Sequence, residues 1–118
     1  WPDFIQLSGE DVTALEFNLR GGVGCISVTA NIAPKLCSEF QEASISKNNS
    51  NLIAKAKQIN DKLAPLHKSL FIESSPSPVK YAASLLKLCS DEVRLPLVKV
   101  TEETKKTIRS ALTHANLI

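Results

Sequence analysis

The sequence predicts an α/β chain in which two short strands, each followed by a helix, lead into three or so further helices. Three observations carry this. Two apolar runs rich in strand-forming residues, FIQL at residues 4–7 and CISVT at 25–29, each precede a polar break. A glycine-rich turn, GGVG at 21–24, separates the second run from the helical segment before it. From Leu52 onward, apolar residues recur at steps of four and three through Ala56, Ile59, Leu63, Leu66 and Leu70. Two strands alone do not make a stable sheet, and strands this apolar expect neighbours on both sides, as in a parallel sheet covered by helices.

Residues 4–7 read as a buried strand that ends in Ser8-Gly9-Glu10-Asp11. A helix over about 12–20 follows, and Ser8 or Asp11 is placed to cap it by accepting from its free first-turn N–H groups. Leu15 and Leu19 share its apolar face. Gly21-Gly22 ends it, since a glycine just past a helix takes the left-handed backbone without penalty. Residues 25–29 form the second strand and residues 30–32 turn the chain. Pro34 suits the first position of the next helix, where its missing N–H costs nothing, and Leu36, Phe40 and Ala43 point to the core.

KNNSN at 47–51 reads as a polar turn. The Leu52–Leu70 pattern then makes one amphipathic helix of about five turns at 3.6 residues per turn. Pro65 lies inside it and is expected to kink or split it near residues 62–63. SSPSP at 74–78 is a rigid turn, followed by a helix over 79–88 and an extended connection over 91–100 containing Arg94-Leu95-Pro96-Leu97. Thr101 caps a last helix with Glu102 and Glu103 in its first turn. Ile108, Ala111, Leu112 and Ala115 form its apolar side, and Asn116 ends it.

Composition narrows the function classes. The 118 residues fit one ordinary domain, and 43% hydrophobic with 22% charged residues suffices for a core. A net charge of +2 with dispersed lysines gives no nucleic-acid footprint. The apolar runs fall short of a membrane span. Three cysteines, Cys25, Cys37 and Cys89, form no CxxC pair, which fits packed thiols in a reducing compartment rather than a disulfide framework or a zinc site. Neither a metal nor a cofactor is expected. The chain holds no methionine and opens on Trp1-Pro2, so it is expected to be the C-terminal part of something longer.

Each motif has a plain reading. GGVG follows a helix and precedes a strand, the reverse of a dinucleotide fingerprint, so it reads as a helix cap with a tight turn. Ser8-Gly9-Glu10-Asp11 sits at the carboxyl end of a strand, where α/β folds place their sites, and Gly9 would let backbone approach a ligand. Strand alternation points Ile26 and Val28 one way and Ser27 and Thr29 the other; with Asn31, the polar set is a candidate site lining. His67 and His114 have no acidic or cysteine partner at ligand spacing and read as structural or solvated. Lys80 shows no local desolvation that would make it a nucleophile.

Four stretches together resemble the C-terminal part of the dihydrodipicolinate synthases: LSGED at 7–11, GGVGCISVTANIAPKL at 21–36, INDKLAPLHKSLFIESSPSPVKYA at 59–82 and VRLPLVKVTEETKKTIRSAL at 93–112. The resemblance implies the last two βα units of a TIM (β/α)8 barrel over 1–46, followed by a C-terminal helical extension over 47–118. A complete barrel takes about 250 residues. It implies a parent enzyme that forms a Schiff base with pyruvate and condenses it with aspartate semialdehyde, on the way to diaminopimelate and lysine. That parent would be a homo-oligomer, and this chain's partner would be the remaining N-terminal barrel segment.

The Schiff-base lysine, the tyrosine relay and the substrate-holding arginine would lie upstream, so no catalytic residue carries over and the chain alone is expected to be inactive. Two substrate-lining positions do carry over: Ile26, bordering pyruvate, and Gly9, at the mouth of the site. Where the family often has asparagine, this chain has Ser75. The alternatives are another pyruvate lyase of the N-acetylneuraminate lyase kind, or a non-catalytic helical interaction module.

Overall fold

The computed structural model describes residues 3–46 and 48–118. Trp1, Pro2 and Lys47 lie outside them, so the expected chain start and the first residue of the KNNSN turn are not placed. Among the described residues there are five α-helices: α1 (Ala14–Leu19), α2 (Pro34–Ile45), α3 (Ser50–Ser69), α4 (Ser77–Leu85) and α5 (Glu102–His114). A 3-10 helix, Thr29–Asn31, precedes α2.

The two expected strands run side by side and parallel, but no regular strand forms among the described residues. Their pairing is one parallel bridge, Ser8 with Cys25. Three backbone bonds hold it: Val23 N–H to Gln6 O (3.2 Å), Ser8 N–H to Gly24 O and Ile26 N–H to Ser8 O (both 2.8 Å). A ladder this short lacks the flanking strands that would extend it. The expectation of a buried strand at 4–7 is also corrected: Phe4 and Ile5 are 69% and 73% exposed. Among the described residues nothing covers these side chains.

The α1 segment is shorter than expected. Its N-cap is Thr13, with no side-chain cap bond, so neither Ser8 nor Asp11 caps it. Its buried face carries Ala14 and Asn18, while Leu19 is exposed. Asn18 takes that face because its amide donates to Gln41 Oε1 and Ser44 Oγ of α2, both at 2.8 Å. Gly21 closes the helix with φ 116°, as the glycine pair predicts.

The proline at the head of α2 and the buried Phe40 and Ala43 match expectation, although the face centres on Cys37 rather than on Leu36. The start of α3 lies inside the expected turn, because Asn49 Oδ1 accepts from the N–H groups of Asn51 and Leu52. This helix runs unbroken through Pro65. Pro65 and Asp61 both lie on the exposed face, so the carbonyl that the proline leaves unpaired is not sealed in the core. On the opposite face Ala56, Ile59, Leu63, Leu66 and Leu70 are buried, and only Leu52 of the predicted stripe is not.

The next helix, α4, begins two residues before the predicted position, at Ser77. The last one, α5, is capped as expected: Thr101 Oγ1 accepts from Thr104 N–H and donates to Glu73 Oε1. Ile108, Ala111, Leu112 and Ala115 are all buried against the rest, and Asn116 just beyond has φ 56°. One hydrophobic core joins α2, α3, α4 and α5.

Candidate functional site

The carboxyl ends of the two parallel segments carry the chemistry-bearing residues. Ser8 folds the first loop back on itself: its Oγ accepts from Glu10 N–H (3.1 Å) and donates to Glu10 O (3.0 Å). Gly9 lies at the top of that loop, exposed, with nothing within 4 Å of where a Cβ would stand. Glu10 is exposed and reaches only Thr13 Oγ1, at 3.3 Å. Asp11 turns inward and is 7% exposed.

Its carboxylate takes three donors from the second segment. Ser27 Oγ donates to Oδ1, while the N–H groups of Val28 and Thr29 donate to Oδ2 at 3.0 and 3.2 Å. Ser27 Oγ also accepts from Ala30 N–H at 2.9 Å, which starts the 3-10 helix. Thr29, fully buried, bonds His67 Nδ1 of α3 at 2.7 Å through its hydroxyl. His67 is 4% exposed; burial pushes its pKa below the usual 6.5, the Asp11 carboxylate opposing that shift. A continuous polar chain therefore crosses from Asp11 through the 3-10 helix to α3.

Strand alternation holds at Ile26, 72% exposed on the open face, and at Ser27, turned toward Asp11. It stops at Val28, whose helical backbone (φ −74°, ψ −41°) begins the turn. Of the polar set expected to line a site, Ser27 lines the pocket described below while its hydroxyl is bonded to Asp11; the expectation is corrected at Thr29, which is fully buried and bonded to His67. Asn31 is exposed and bonds only Val28 O, at 3.0 Å. His67 has the structural role expected of it. Lys80 sits half-buried on α4, and His114 is exposed at the end of α5.

Beneath this chain of polar groups lies a pocket of about 240 Å³, lined among others by Asp11, Cys25, Cys37, Phe40 and His67. Burial pushes both thiols up, Cys37 to about 11, which disfavours the reactive thiolate. No group of three histidine, cysteine or acidic side chains among the described residues could hold a metal ion. No helix among them is long and apolar enough to cross a membrane.

A sequence profile of the Dihydrodipicolinate synthetase family matches residues 1–115. The chain belongs to this family. It is 64% identical over 116 residues to the 4-hydroxy-tetrahydrodipicolinate synthase of Pelagibacter ubique, covering 98% of this chain and 39% of that protein. The synthase of Cereibacter sphaeroides is 56% identical with the same coverage of both chains.

Among solved structures of the family, the chloride-inhibited dihydrodipicolinate synthase of Acinetobacter baumannii, complexed with pyruvate, superposes with a TM-score of 0.89 at 43% identity. The Thermotoga maritima enzyme gives 0.90 at 38%. In both cases 38% of the longer chain is covered, against 98% and 99% of this one. The chain spans about two fifths of the dihydrodipicolinate synthases it matches, aligns with their C-terminal part, and superposes on members whose whole fold is a TIM barrel.

Proposed function

We propose that this chain is the C-terminal part of a Schiff-base pyruvate lyase that condenses pyruvate with aspartate semialdehyde in diaminopimelate and lysine biosynthesis. Residues 1–46 are the last two βα units of its (β/α)8 barrel, and 47–118 are its helical extension. The carrying observation is the bare apolar face of the paired segments, with Ile26 and Gly9 open at their carboxyl end. In a closed barrel that face points inward against the missing strands, and the carboxyl end is where barrel enzymes work. Ile26 then borders the bound pyruvate and Gly9 lies at the mouth of its site.

The Schiff-base lysine belongs to the strand preceding residues 4–7, so this chain alone is inactive. The parent enzyme works in the cytoplasm as a homo-oligomer and needs no cofactor. The match over 93–112 supports this substrate pair over that of an N-acetylneuraminate lyase.

Borohydride trapping with labelled pyruvate tests the reading. The whole protein that contains this chain should take up one label per polypeptide, on a lysine outside residues 1–118, and the chain alone none. Label on Lys80, or on any other lysine of this chain, would overturn it.

A further inference from the structure

We propose that Asp11 is a positioning residue for the pyruvate site: its buried carboxylate fixes Gly9 and Ile26 relative to one another. The proposal rests on the pyruvate-lyase reading above and deepens it.

Gly9 and Ile26 occupy equivalent places in the two segments. Each lies one residue beyond the bridge formed by Ser8 and Cys25. The last backbone bond between the segments is Ile26 N–H to Ser8 O, and past it the ladder stops. What joins the segments beyond that point is Asp11, which receives Ser27 Oγ and the N–H groups of Val28 and Thr29. Gly9 is thus held between the bridge at Ser8 and the clamp at Asp11, and Ile26 between the bridge at Cys25 and the clamp at Ser27. Gly9 has no side chain to hold it and nothing packed over it. Its placement depends on those two anchors.

The clamp needs a carboxylate in particular. Three donors converge on its two oxygens, one on Oδ1 and two on Oδ2. An asparagine of the same size can keep the two N–H donors on its oxygen but meets Ser27 Oγ with an NH2 group, so the hydroxyl loses its acceptor and the charge that strengthens all three bonds is gone. Through Thr29 the clamp is fastened to His67 on α3, so the reference frame for Gly9 and Ile26 is the helical core rather than the loop itself. Both carboxylate oxygens of Asp11 are occupied by Ser27, Val28 and Thr29, so it acts through these neighbours.

The test is steady-state kinetics on the whole protein that contains this chain, with active sites counted by borohydride trapping. Asp11→Asn should raise the KM for pyruvate by roughly tenfold to a hundredfold, the scale of misplacing a binding group by about an ångström. Ser27→Ala removes one donor and leaves two, so it should raise that KM in the same direction by a smaller factor; it also serves if Asp11→Asn does not fold. A purely structural role would lower the fraction of active sites and leave KM and the per-site kcat unchanged in both variants, and that result overturns the proposal alone. A wild-type protein that traps no pyruvate overturns the pyruvate-lyase reading and this proposal with it.

Discussion

Replacing Thr29 with valine removes one hydroxyl from a place where no solvent can substitute for it. Thr29 is fully buried and His67 nearly so, and the two meet at 2.7 Å. The substitution keeps the shape and leaves the imidazole Nδ1 without its partner, which costs about 1–3 kcal/mol. For a chain of this length, roughly 4 °C of melting temperature accompanies each kcal/mol, so Thr29→Val should melt about 4–12 °C lower. Thermal unfolding of the chain followed by far-ultraviolet circular dichroism measures this. A double-mutant cycle with His67→Phe should show a coupling of about 0.5–3 kcal/mol.

The same pair sets a pH dependence. Burial holds the folded-state pKa of His67 below its unfolded value near 6.5. Below that value the unfolded chain binds the extra proton first. Stability is therefore lost as pH falls from about 6.5 through the lower folded pKa, and this group makes no difference above about 6.5. His67→Gln should flatten that slope. Additive effects within about 0.3 kcal/mol, or a slope unchanged by His67→Gln, would refute the reasoning.

Three further outcomes follow from the packing. With an alkylating reagent near pH 7.5, the exposed Cys89 should react first and Cys37, raised to about 11, last; peptide mass analysis after timed quenching reads the order. Gly22→Ala should destabilise by about 1–3 kcal/mol in urea unfolding, because a Cβ there would collide with the Phe17 ring and fall 2.9 Å from the Phe17 carbonyl oxygen. Thr101→Ala should cost about 0.5–2 kcal/mol by removing the α5 cap, and Thr101→Ser should recover most of it in the same melt.

What could be read in advance depended on how local its cause was. The stripes of α3 and α5 were legible because each repeats a 3.6-residue period over several turns, and Thr101 caps its own helix three residues on. Pro65 misled because its effect depends on which face it occupies, and the exposed face forgives it. In α1 the short segment offered two candidate faces, and Asn18 decided between them through partners more than 20 residues away. The parallel course of residues 4–7 and 25–29 was legible from their composition, but the extent of their ladder depends on what flanks them, which no local pattern encodes. Gly9 and Ile26 came from the family resemblance. The role of Asp11 had no sequence trace: its partners lie 16 to 18 residues downstream, and a carboxylate beside a helix start looks like a cap.

The uncovered segments have a consequence for the chain in solution. Residues 4–7 and 25–26 present aliphatic and aromatic side chains beside backbone groups paired on one side only. No lysine or proline of residues 4–7 interrupts that rim, and such a rim accepts further strands edge to edge. Concentrated stocks of the isolated chain should therefore associate edge to edge at this rim, and a charged substitution at Ile5 should lengthen the lag before thioflavin fluorescence rises.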